Sequence, residues 1–154
     1  MSRQMFQNPR GGNPQQKRNP EEDWREKLKK SLGNDYIDKA LKFDRLDLED
    51  FKEFNDKIKA FIKEKRNVGT SRMRKIYEII KGAKDQKSLL VSLPMLAYIV
   101  GKESDIKERD QIGEIVLLLS DCIYQMKQEE DFKGIQRFAE ALVAYHRYFN
   151  PRSE

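Results

Sequence analysis

The residues that most often carry catalysis are scarce in this chain, which has one histidine, His146, and one cysteine, Cys122. A nucleophilic Cys–His pair is conceivable because the two residues fall on neighbouring predicted helices. Cys122, however, lies on the apolar stripe of an amphipathic helix, where cysteine packs as a small hydrophobic residue. A metal site needs further Cys or His partners, and no glycine-rich phosphate loop follows a strand. We therefore expect no enzyme and no cofactor or metal.

The other candidate chemistry is electrostatic, and it begins at the stretch TSRMRKIYEII. Thr70 is predicted to cap a helix whose first amides are free to bind an anion. Arg72 and Lys75 share one face by their i, i+3 spacing, and Arg74 projects from another side. One interpretation is a solvated face with Arg74 against Glu78. The other is that these cations bind the phosphates of a polyanion.

A second group of cations, Lys63, Lys65 and Arg66, ends the preceding predicted helix and borders the same loop. Cations at that position complement the negative end of the helix dipole. Because the loop also leads to Thr70, they are equally placed to extend the first group into one basic patch.

Net charge hardly distinguishes these interpretations. The 154 residues carry 31 Lys and Arg against 26 Asp and Glu, a formal charge of +5. Residues 1–19 hold four cations and no acid, and their composition predicts a disordered basic tail. The tail either aids solubility or adds unspecific attraction to a polyanion.

Location follows from what the sequence lacks. A single cysteine excludes an intramolecular disulfide and fits a reducing compartment. No apolar run approaches the ~20 residues that span a bilayer, and the N-terminus lacks the apolar core of a signal peptide. We expect a cytoplasmic protein that does not contact membranes.

The elements that must position these residues are helices throughout. Apolar residues recur at helical spacing, and no segment shows the alternation of a strand. The prediction is an all-α, compact bundle of about five or six helices in one domain, residues 20–150. Helices are expected from Pro20 to Gly33, at about 35–43, from near Asp47, from Thr70, and at about 105–128 and 130–149.

The run SLLVSLPMLAYIVG, residues 88–101, is apolar on all sides and is therefore expected to be deeply buried. Pro94 either opens a new helix there or kinks a longer one.

The aromatic residues and the histidine have structural interpretations. We expect His146 to be a satisfied, partly buried side chain between helices rather than an RNA contact. Tyr145, Tyr148 and Phe149 are interpreted as core and interface residues rather than base-stacking platforms. Trp24 is expected to anchor the first helix in the core.

Three segments in order carry a family resemblance: TSRMRKIYEII, LPMLAYIVGKE at 93–103, and RFAEALVAYHRYF at 137–149. Together they resemble the small helical subunit of type III-A CRISPR effector complexes, the Csm-complex small subunit family. The last segment is the most specific, because Ala-Tyr-His beside paired aromatics is unusual. The segments leave residues 1–50 uncovered, and Arg72 stands where the family pattern has a neutral polar residue, often glutamine.

The resemblance implies a non-catalytic α-helical protein. Several copies stack in a ribonucleoprotein and contact the backbone of a target RNA paired to the guide RNA. The implied partners are this RNA, the other subunits of the complex and further copies of the chain. The alternative is a helical protein–protein adaptor that never touches nucleic acid. The candidate RNA-binding residues are Arg74, Lys75, Arg72, Thr70, Arg66, Lys65, Lys63, Lys102, Arg137 and Arg147.

Overall fold

The computed structural model describes residues 19–151, and these residues form an all-α fold without strands, as predicted. Six of its helices have nine residues or more. The predicted disordered tail lies outside the described residues apart from Asn19. The elements are α1 Pro20–Leu32, α2 Tyr36–Leu41, a 3₁₀ turn Phe43–Arg45, α3 Leu48–Glu64, α4 Thr70–Lys81, α5 Gln86–Val91, α6 Leu93–Gly101, α7 Ile106–Gln125 and α8 Glu129–Tyr148.

Helix α1 forms as the sequence predicts. The side chain of Asn19 accepts a hydrogen bond from the amide of Glu21 at 2.9 Å, and Pro20 occupies the first turn. Gly33 ends the helix at φ 97°, a backbone conformation that favours glycine. Trp24 is buried against α7, where its indole nitrogen donates to Asp110 Oδ1 at 3.1 Å. The predicted anchor role of Trp24 is therefore confirmed.

Helices α7 and α8 organise the core. The middle of α7 is buried continuously from residue 112 to 119, between α1 on one side and α6 on another. Helix α8 packs on α2, α3 and α4. Phe138 of α8 stacks on Phe54 of α3 with ring centroids 6.0 Å apart. Gly134 lets α8 approach α2 closely, since a Cβ there would overlap the carbonyl oxygen of Leu41.

Two predictions about helix ends need correction. The N-cap of α4 is Gly69, and Thr70 is its first residue, with no side-chain cap hydrogen bond. Helix α7 ends at Gln125 rather than near 128, because Met126 turns to an extended backbone. Pro94 opens a new helix, α6, which was one of the two alternatives.

The predicted deep burial of residues 88–101 is wrong for half of this run. Val91 and Met95 are 63% and 53% exposed, and Leu90 and Tyr98 are exposed as well. Helix α6 packs only its inner face on α4 and α7, so its outer face stays in solvent. None of the described helices is long and apolar enough to cross a membrane.

Candidate nucleic-acid interface

The exposed face of α4 is fixed by its apolar face. Met73, Ile76 and Ile80 are buried in the bundle, and Tyr77 and Ile79 pack against the core beside them, so the opposite side of the helix points outward. That outer face carries three cations and one acid, because its exposed residues are Ser71, Arg74, Lys75, Glu78 and Lys81. The helix therefore presents a net positive surface along its length.

This face continues onto α8 through a specific junction. The amide nitrogen of Gln136 donates to the carbonyl oxygens of Ile80 at 3.1 Å and Ala83 at 3.2 Å, which holds the end of α4 on α8. These partly buried hydrogen bonds satisfy two carbonyl groups at the end of α4 and connect the two helices. Cations from both helices consequently lie at one seam.

A surface cavity of about 320 Å³ marks this seam. Lys81 of α4 and Lys133 and Arg137 of α8 line it together with Tyr77, and Asp44, Gln136 and Glu140 complete its wall. Arg137 also contacts Glu140 at 3.3 Å. Lys133 is missing from the predicted site. Its i, i+4 spacing from Arg137 was the available signal.

The side chain of Arg72 forms ion pairs within the protein. Its guanidinium lies 2.6 Å from Glu103 Oε1 and 4.0 Å from Glu108 Oε2. Glu103 is buried, and its second oxygen accepts the amide of Asp105 at 3.0 Å. Arg72 therefore ties α4 to the connection between α6 and α7, instead of extending the exposed face of Arg74 and Lys75.

Lys65 is also turned inward. Its ammonium lies 3.1 Å from Glu114 Oε1 on α7 and 4.6 Å from the ring centroid of Phe61, and the residue is only 7% exposed. Its neighbours Lys63 and Arg66 remain exposed, and Arg66 donates to the carbonyl oxygen of Lys63 at 2.8 Å. Consecutive cations at the end of α3 thus have different environments.

The other predicted residues lie at the ends of helices. Lys102 is exposed beside α6, with its ammonium 5.5 Å from the ring centroid of Tyr98. Arg147 is exposed in the last turn of α8. Thr70 is half-buried at the start of α4. The predicted residues therefore come from four parts of the fold: the end of α3, α4, the end of α6 and α8.

His146 has a hydrogen-bond partner, as the sequence predicts, but it is fully rather than partly buried. Its Nε2 lies 2.8 Å from the carbonyl oxygen of Val68, so Nε2 carries the proton and donates. Burial lowers the pKa of His146, and the hydrogen bond partly offsets this. Burial raises the pKa of the Cys122 thiol above its ordinary range, which keeps it protonated. No group of three potential metal ligands occurs in residues 19–151.

Fold and surface together define a small all-α protein with exposed cations on α4 and α8. A family model described as Csm2 Type III-A matches residues 45–152, more than half of the chain. The chain belongs to this family and is a small subunit of the type III-A CRISPR Csm complex, in which the family has a structural role. It therefore associates with other subunits of that complex. No curated protein and no solved structure matches the chain.

Proposed function

We propose that this subunit binds RNA, and that the exposed face of α4 contacts the backbone of a target RNA paired to the guide RNA. The observation that carries the proposal is the seam between α4 and α8, where cations of two helices converge around Tyr77. The chain also belongs to a family of CRISPR-complex subunits. In such a complex, RNA is the polyanion that these cations would bind.

The chemistry suits binding without sequence readout. In an RNA-guided complex, base pairing with the guide selects the target, so the protein needs only backbone contacts. Lys and Arg side chains supply these contacts, and phosphate binding releases counterions. The proposed interface is centred on Arg74, Lys75, Lys81, Lys133 and Arg137.

The remaining predicted residues have different places in this proposal. Thr70 contributes through the amides of the first turn of α4, which precede the basic face. Lys63 and Arg66 are proposed as a second contact at the end of α3, Arg147 as one in the last turn of α8 and Lys102 as one beside α6. Arg72 and Lys65 are omitted, because their cations are held by buried carboxylates.

Charge reversal tests the proposed interface. Arg74→Glu with Lys75→Glu should weaken binding of single-stranded RNA by at least about tenfold at low salt. The slope of log binding constant against log salt concentration should become less steep by about 1.4, since two phosphate contacts are lost. The matched control is Lys27→Glu with Lys30→Glu, which makes the same charge change on exposed positions of α1. Affinity is measured by fluorescence anisotropy over a salt series, with circular dichroism to confirm the fold.

The same experiment separates this function from the protein–protein adaptor. If both double variants weaken binding equally, net charge rather than the α4 face governs affinity, and the interface is wrong. If RNA affinity is absent both for the chain and for the assembled complex, the adaptor is the correct function.

We further propose that copies of this chain associate with one another when they stack along the guide–target duplex. The exposed apolar side chains of Val91, Met95 and Tyr98 support this, since contiguous exposed apolar surface usually marks a contact. Val91→Glu with Met95→Glu should then lower the average mass seen by sedimentation in the presence of a long RNA. Unchanged sedimentation would exclude this face as the contact between copies.

A further inference from the structure

Packing within the fold explains two of the three aromatic residues at the C-terminal end of α8. Tyr145 is half-buried and donates to Asn55 Oδ1 at 2.8 Å, and Phe149 packs against the core. These two confirm the structural interpretation of the sequence. Tyr148 is different, because it is 64% exposed and makes no comparable contribution to the core. An exposed aromatic ring at the end of a helix calls for another explanation.

Tyr148 lies among cations of another helix. The ammonium of Lys59 on α3 lies 5.2 Å from the centroid of its ring. Tyr148 also lines a surface cavity of about 430 Å³ together with Lys59, Lys63 and Phe149. Phe149 supports the ring from one side, with centroids 5.1 Å apart and planes inclined by 72°. The site is therefore an exposed ring with an aromatic neighbour on one side and lysines beside it.

Tertiary packing, rather than helix spacing, creates this arrangement. Two other Lys–Tyr contacts in the described chain join residues four apart in sequence, Tyr77 with Lys81 and Tyr98 with Lys102. The contact of Lys59 with Tyr148 instead joins α3 to α8. Lys59 and Lys63 lie on one face of α3 by their i, i+4 spacing, and exposed Arg66 follows beyond the helix end. Asp56 is the acid that lines the same cavity.

We propose that Tyr148 is a stacking site for an unpaired base of single-stranded RNA, and that Lys59 and Lys63 bind the flanking phosphates. An aromatic ring with cations beside it is the arrangement that binds single strands without sequence preference. The bound base must be unpaired, since paired bases already stack on their neighbours. The site rests on the proposed RNA-binding function but is separate from the α4 face, so the two can fail independently.

The experiment compares three variants of the full chain with two ligands. Tyr148→Leu removes the aromatic ring and keeps apolar volume, and Tyr148→Phe keeps the ring. Tyr124→Leu is the matched control, because Tyr124 is 77% exposed on α7. The ligands are a short uridine oligonucleotide and a strand of the same length in which every nucleotide is abasic. Affinity is measured by anisotropy, and tyrosine ring signals are followed by NMR, which also detects weak binding.

With the uridine strand, Tyr148→Leu should bind about fivefold more weakly, the low end of what one base–aromatic stack contributes. Tyr148→Phe and Tyr124→Leu should bind like the unmodified chain. With the abasic strand, all four proteins should bind alike. The ring signals of Tyr148 should move upfield with the uridine strand and remain in place with the abasic strand.

Several results would overturn the stacking site. In the first, added RNA shifts the amide NMR signals of α4 but leaves the ring signals of Tyr148 unchanged. This result leaves the proposed function intact. Another is an equal loss of affinity for both strands in Tyr148→Leu. A third is unchanged RNA binding with weaker assembly into the complex, which would make Tyr148 a protein contact. If RNA shifts neither Tyr148 nor α4, both proposals are wrong.

Discussion

Lys65 offers the sharpest test of the distinction between structural and RNA-binding cations. Its ammonium is 3.1 Å from Glu114 Oε1, and the two side chains are only 8% and 5% exposed. Lys65→Met keeps an apolar side chain of similar length at this buried position and removes the charge. The carboxylate of Glu114 is then buried without a cation. The variant should therefore lose stability without losing RNA affinity.

The magnitude follows from the burial of both partners. Removing one member of a buried ion pair costs about 3–5 kcal/mol, because the other charge remains desolvated. With a urea slope of about 2 kcal/mol per molar, the midpoint of unfolding should fall by about 1.5–2.5 M. The double variant Lys65→Met with Glu114→Leu should recover most of this loss, since it leaves no unpaired charge.

Lys63→Met is the matched control, two residues away and exposed. Its urea midpoint should stay within about 0.3 M of the unmodified chain, because exposed substitutions change stability little. Its RNA affinity should fall, whereas Lys65→Met should keep its affinity under conditions where it is folded. A midpoint for Lys65→Met equal to that of Lys63→Met would refute the reasoning that the Glu114 pair is buried and structural.

Three further predictions follow from single contacts. Gly134→Ala should lower the free energy of unfolding by more than about 2 kcal/mol in thermal or urea denaturation, because its Cβ would overlap the carbonyl oxygen of Leu41; a stable variant would contradict the close packing of α8 on α2. Because the pKa of His146 is lowered in the fold, stability should be complete above about pH 6.5 and fall below it as the unfolded chain takes up the proton. Urea titrations at pH 7 and pH 5 should show this extra loss for the unmodified chain and not for His146→Gln, and parallel losses would exclude it. Cys122 should react with a disulfide reagent at pH 8 only after unfolding, since burial raises its pKa and blocks access; rapid reaction of the folded chain would contradict this.

The helices and their buried faces could be predicted from sequence because both depend on local spacing. Trp24, Leu28 and Leu32 show the i, i+4, i+8 spacing of one helical face, and all three are buried. The start of α4 was less predictable, since Gly69 and Thr70 both suit an N-cap. The exposure of α6 was not predictable in this way. An apolar sequence shows that a helix can be buried, but the number of neighbouring helices decides whether both faces are.

The same reasoning explains why the candidate interface was only partly predictable. Lys63 and Lys65 have similar sequence surroundings, yet of these two lysines only Lys65 forms an ion pair with Glu114 of α7. Arg72 is likewise removed from the exposed face of α4 by Glu103.

Tertiary packing also adds residues to a surface. Lys133 lies beside Lys81 through the junction of α8 with α4, and Lys59 lies over Tyr148 through the packing of α3 on α8. The sequence therefore indicates which cations a chain has available. Only distant acids and neighbouring helices determine which of them can bind a phosphate. For that reason, we expect single charge reversals at Arg74 and Lys75 to weaken RNA binding more than an equal reversal at Arg72, which the sequence groups with them but which pairs with Glu103.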